Sequence, residues 1–175
     1  MTGPDAAPDA FPEGVAEGRA AWQEGLRAAL LKACADGARE ILCFDADFMA
    51  WPWSEAGVLA ALTAWAHPPR RLTLVATQYD ALARRHPRFV AWRQRYDHCV
   101  AAFVHAAEPG DRPGHDAALV AMGASGAVLS LRLLDAARLR VSASLRADEA
   151  MLLRQWFDVT TQRSSPGFAA TTLGL

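Results

Sequence analysis

The chain has 175 residues, 52% apolar and 21% charged, with a formal net charge of −1, which suits one domain able to bury a core without disulfide or metal staples. That balance offers no global attraction to nucleic acid or to an anionic membrane, so any such role needs a local patch. The amino terminus lacks the basic start and apolar stretch of a signal peptide, and no apolar run approaches the ~18 residues of a membrane span; a cytoplasmic protein with no membrane partner is expected.

Residues 1–15, rich in Pro, Ala and Asp, read as a disordered tail, and residues 16–175 as a single domain. Over residues 16–35, Trp22, Leu26, Leu30 and Cys34 form one apolar stripe at four-residue steps, and Gly37 stands where a helix C-cap is wanted. Residues 40–48 open on four consecutive apolar side chains, as a strand covered on both faces does. Ser54 is placed to cap a helix bearing Val58, Leu59, Leu62 and Trp65, and Pro68-Pro69 ends it. Residues 71–77 read as a second strand. Asp80 is placed to cap the next helix, interrupted or restarted at Pro87 and continuing through Phe89, Trp92 and Tyr96. Residues 100–105 make a third strand, and the alternation implies a largely parallel sheet with helices on its faces.

After a Pro- and Gly-rich loop over residues 108–114, the apolar runs 117–122 and 127–134 flank Gly123-Ala-Ser-Gly126 and read as a hairpin. Residues 139–145 form a further strand. Residues 147–163 form a closing helix with Met151, Leu152, Gln155, Trp156 and Val159 as its packing face, and the last dozen residues are a docked or mobile tail. The expected fold is α/β: a three-layer sandwich with a mixed sheet flanked by helices.

His115 opens the run Asp-Ala-Ala-Leu-Val-Ala-Met122, and this stretch resembles the HxKxxxxD motif of the phospholipase D superfamily. The element order over residues 16–163 is similar to one half of that fold. The resemblance puts His115 on the nucleophilic histidine and Ser130 on the serine of the downstream GSxxN element. Ala117 stands in place of the lysine, Met122 of the aspartate, and Leu129 and Leu133 of the glycine and asparagine. In that family the histidine attacks phosphorus while lysine and asparagine stabilise the phosphoryl oxygens. The resemblance therefore implies a phospholipase D-like half that has lost its catalytic set, with a binding, regulatory or assembly role. Its active alternative is a phosphodiesterase or nuclease with His115 meeting its symmetry mate in a homodimer. The pattern also looks like an uncharacterised proteobacterial domain that sometimes accompanies acetyltransferase-like domains, which implies a regulatory or substrate-presenting role and not a reaction; a protein partner is a further expectation.

Asp45 and Asp47 end an apolar strand as Asp-x-Asp, which resembles the haloacid dehalogenase-type phosphatase signature. Met49 departs from that signature, and the only lysine, Lys32, lies upstream of the strand instead of downstream. The alternative is that these carboxylates cap the loop over residues 48–53 or pair with nearby arginines. Trp51 and Trp53 lie in that loop at the carboxyl end of a strand, where α/β sheets bind ligands; packing over a helix end is the other reading. His115, Trp51, Trp53, Asp45 and Asp47 are the candidate ligand-binding residues.

Residues 80–98 carry five arginines against two aspartates, and Arg84, Arg85 and Arg88 are the candidates for phosphate contact, giving a nucleic-acid-binding alternative through the segment ending at Arg95. The aromatic residues among them recur at helical spacing, which favours burial; with the neutral overall charge this weighs against nucleic acid as a partner. Cys34, Cys43 and Cys99 show no metal-ligand spacing, and no P-loop or GxGxxG occurs. No metal or cofactor is expected.

Overall fold

The computed structural model describes residues 11–106, 115–124 and 128–169. Helix α1 (Arg19–Ala35) forms on the expected stripe and buries Trp22, Leu26 and Leu30. It stops at Gly37, whose φ of 67° is the left-handed conformation glycine adopts freely. There the Gly37 N–H donates to the Cys34 carbonyl (3.1 Å) and the Ala38 N–H to that of Ala33 (2.9 Å), the paired bonds of a glycine-terminated helix. The chain continues through β2 (Glu40–Asp45), α2 (Ala56–Trp65), β3 (Arg71–Ala76), α3 (Asp80–Arg85), α4 (Pro87–Arg95) and β4 (Val100–Val104). Pro87 at the first position of α4 supplies no N–H and disfavours helical backbone at His86, so one helical segment becomes two.

The next elements are β5 (Ala117–Met122), β6 (Val128–Asp135), β7 (Arg140–Ser144) and α5 (Ala147–Gln162). The loop expected over residues 108–114 lies outside the described residues, as do residues 125–127 of the hairpin connection. The hairpin itself is present, with Ala118 opposite Arg132 and Val120 opposite Ser130.

Two further strands occupy segments that read as tails. Strand β1 (Gly14–Glu17) pairs antiparallel with β7, Gly14 facing Ala143. Gly14 and Val15 thus belong to the sheet instead of a tail reaching residue 15, and α1 begins at Arg19 instead of residue 16. Strand β8 (Ser165–Pro166) pairs with β4, Ser165 facing Val104.

The eight strands of the described residues form one mixed sheet in the order β1-β7-β6-β5-β2-β3-β4-β8. Strands β2, β3 and β4 are parallel, and the remaining pairings are antiparallel. The fold is α/β with helices on both faces. Alternation along the strands sends Ile41 and Cys43, Leu72 and Leu74, and Leu119 and Ala121 into the larger core beneath α1, α2 and α4. Leu42, Phe44, Val75, Ala118 and Val120 face the smaller core under α5. Among the described residues no helix is long and apolar enough to cross a membrane.

Local expectations are corrected at three helices. Ser54 does not cap α2, which starts after Glu55 without a side-chain cap bond; its hydroxyl is engaged by His86 at 2.9 Å. Asp80 is already inside α3, whose preceding residue is Tyr79. Helix α5 packs with Ala150, Leu153, Phe157 and Thr160, while Met151, Leu152 and Val159, expected to pack, face outward.

Candidate functional site

The loop between β2 and α2 is organised by Asp45. One carboxylate oxygen accepts hydrogen bonds from the backbone N–H groups of Asp47 (3.0 Å) and Phe48 (2.9 Å), and the other accepts the indole N–H of Trp51 (3.0 Å). Burial pushes the Asp45 carboxyl above its ordinary value, against the pull of these three bonds. Asp47 accepts the Met49 N–H at 2.9 Å. The pair thus shapes a turn in which Phe48 adopts a φ of 56°, and both oxygens of Asp45 have partners. Among the described residues no group of three or more His, Cys, Asp or Glu is placed to hold a metal ion.

Trp51 and Trp53 are both fully buried, stacked on one another at 5.3 Å and 10°. Trp53 continues the stack onto Phe89 (4.6 Å), and Phe89 onto Trp92 (5.6 Å). The aromatic rings of the loop and of α4 are therefore one internal column tying the β2–α2 loop to the helix face. Both rings pack inside the protein, and of the two Trp51 lines an opening at the surface.

That opening is a cleft of about 720 Å³ at the carboxyl end of β2, between the first turns of α1, residues 49–55 and the end of α3. Its polar wall is tightly bonded. His86 bridges the elements: one ring nitrogen lies 2.9 Å from the Ser54 hydroxyl and the other 3.0 Å from the Met49 carbonyl. Since a carbonyl only accepts, the Met49-facing nitrogen carries the proton. Gln23 donates to the Ala50 carbonyl at 2.5 Å, and both oxygens of Glu55 receive the forked guanidinium of Arg27 at 2.6 and 2.7 Å. This bidentate bond holds the Glu55 carboxyl below the usual carboxylate range. Arg19 and Arg85 also line the cleft and have no ion pair among the described residues. Neither Arg19 nor Gln23 stood out in the sequence, because the cleft joins four segments separated along the chain.

Arg84, Arg85 and Arg88 are all exposed, with no carboxylate partner among the described residues. Arg95 is exposed as well and lies over the ring of Tyr96 at 5.9 Å. Arg93 differs: it is buried, bonded to Asp97 at 3.0 Å and stacked over Phe168 at 5.0 Å. Helices α3 and α4 thus divide cleanly, with Leu82, His86, Phe89 and Trp92 inward and a basic face outward.

His115 precedes β5 and is half-buried, its ring edge-to-face with Trp156 of α5 at 4.9 Å. Burial lowers its pKa, the nearby Arg132 lowers it further, and Asp116 opposes both. Arg132, which no spacing along the chain places beside His115, reaches Glu149 at 3.2 Å. Ser130 is buried opposite Val120 within β5, whereas His115 precedes that strand and packs on Trp156. The structure does not bring His115 and Ser130 together.

No family model matches the chain, and no curated protein matches it. Among solved structures, it superposes on TrmBL2, an archaeal chromatin protein described as showing a novel mode of DNA binding. The TM-score is 0.56 at 12% identity, over 88% of this chain and 52% of that one. At that identity the likeness is one of fold. The chain spans about half the length of TrmBL2, and the match does not bear on the phospholipase D resemblance. The expectation of a non-catalytic regulatory or assembly domain, with nucleic acid disfavoured as a partner, is nevertheless corrected by it: the structural neighbour is itself a DNA-binding protein.

Proposed function

We propose that this chain is a nucleic-acid-binding module that contacts the phosphate backbone through the outer face of α3 and α4. The observation that carries the reading is the exposure of Arg84, Arg85 and Arg88 without carboxylate partners among the described residues. Three free guanidinium forks on adjoining helical turns suit phosphate oxygens, which accept bidentate charge-assisted bonds. The fold likeness to a protein described as binding DNA supports the same direction.

Burial of Phe89 and Trp92 removes the rings that would stack on exposed bases. What remains outward contacts phosphate alone, which positions a duplex without reading its sequence. Affinity is then set by the release of condensed counterions.

Fluorescence anisotropy with labelled duplexes of two unrelated sequences, across a salt series, tests this. Both duplexes bind with similar affinity, and log K falls with log salt. The combined substitution Arg84→Ala, Arg85→Ala and Arg88→Ala flattens that slope by about 2.7, the contribution of three phosphate contacts. No binding at low salt, or an unchanged slope in the triple variant, refutes the proposal.

A further inference from the structure

We infer that the cleft beside this basic face, which shares Arg85 with it, is a binding site for a small organic phosphate. Its volume of about 720 Å³ falls within the range of small-ligand pockets. It also lies outside the carboxyl end of a parallel strand, where α/β sheets place their ligands.

Its chemistry follows from which groups are already committed. Ser54 and His86 bond each other, His86 also bonds the Met49 carbonyl, and Gln23 donates to Ala50. The charged residues lining the cleft are Arg19, Glu55 and Arg85, and Glu55 is already engaged by the bidentate bond from Arg27, which also pairs with Glu24. Two arginines are left, Arg19 of α1 and Arg85 of α3, lining one opening with no ion pair of their own among the described residues. A carboxylate ligand carries one charge and two oxygens, enough for one fork. A phosphate group carries up to two charges and three free oxygens, so it can engage both arginines at once.

The remainder of the wall selects for an organic body. Met49 is 51% exposed at the mouth, beside Leu139, Pro52 and the edge of Trp22. An apolar group attached to the phosphate removes this surface from water, a gain that inorganic phosphate cannot make. His86 fastens the Met49 carbonyl and the Ser54 hydroxyl to the end of α3, so the wall is preformed and ordering it on binding costs little.

Isothermal titration calorimetry of the full chain with phenyl phosphate tests the site, with inorganic phosphate and phenol as controls. Phenyl phosphate binds more tightly than inorganic phosphate, and phenol gives no binding heat. Arg19→Ala, at an exposed position, weakens phenyl phosphate about tenfold or more, the loss of at least one charge-assisted contact. The same variant binds duplex DNA as the wild type does, so the loss at Arg19 distinguishes this site from the α3–α4 face, with which it shares Arg85. Absence of phenyl phosphate binding overturns the inference. So does affinity no better than that of inorganic phosphate, measurable binding of phenol, or wild-type affinity in Arg19→Ala.

Discussion

At the scale of single residues, the same side-chain type takes different roles according to what the fold puts beside it. Arg27, Arg93 and Arg132 are each held by a carboxylate, at Glu55, Asp97 and Glu149, whereas Arg84, Arg85 and Arg88 face outward. His115 shows what partial burial does to a titratable group. Its imidazole is kept below the ordinary histidine value by burial and then by Arg132, so the folded protein disfavours the imidazolium. Between the depressed folded pKa and the unfolded value the unfolded chain binds more protons. Stability from this residue is therefore fully present above pH ~6.5 and is lost as pH falls through the folded pKa. An NMR titration of the His115 ring protons gives a midpoint below that of a model histidine, and Arg132→Ala moves it upward. A midpoint at or above the model value, or one unmoved in the variant, contradicts this account.

At the scale of elements, α5 illustrates how an amphipathic pattern can be read on the wrong face. Ala150, Met151, Leu152, Leu153, Trp156, Phe157 and Val159 cover well over half the helix circumference, so the sequence admits several packing stripes. The sheet selects Ala150, Leu153 and Phe157, because the small Ala150 lets the helix approach while Leu153 and Phe157 fill the space above Phe44 and Val120. Leu153 is 2% exposed and its neighbour Leu152 is 68% exposed. Leu153→Ala therefore costs about 2–5 kcal/mol of stability, while Leu152→Ala stays within about 0.5 kcal/mol of wild type. Urea denaturation of the two variants distinguishes the faces; equal losses, or a larger loss at Leu152, would reverse the assignment. The break between α3 and α4 was legible for a simpler reason, since proline imposes it locally whatever the surroundings.

At the scale of the whole molecule, stability should be graded across the sheet from centre to edges. Strands β2 and β3 are hydrogen-bonded on both sides and covered on both faces, whereas β1 and β8 each pair on one side only and are exposed throughout. Native-state hydrogen exchange should find the slowest amides in Ile41–Phe44 and Leu72–Val75, opening only with global unfolding, and fast exchange at Val15 and Ser165. Protection of Val15 equal to that of Cys43 would mean that β1 is an integral part of the cooperative core.

The sequence by itself determined the α/β class, the order from α1 through α5 and the central strands. These elements are written in local signals: apolar runs for strands buried on both faces, a four-residue stripe for α1, and Gly37 and Pro87 as punctuation. Edge strands β1 and β8 carried no such signal, because a strand of two to four residues gains its structure from a distant partner, Ala143 for Gly14 and Val104 for Ser165. The candidate sites followed the same division. The arginines of residues 84–88 were visible as a cluster, but their freedom from carboxylates among the described residues and the burial of the rings of α4 depended on the tertiary packing. Asp45 and Asp47 were visible as a pair, while their use in shaping a turn emerged only with Phe48 and Trp51 in place. The cleft of Arg19 and Arg85 and the approach of Arg132 to His115 belonged wholly to the tertiary structure, because each joins residues on separate elements whose proximity is fixed by strand order and helix packing instead of by spacing along the chain.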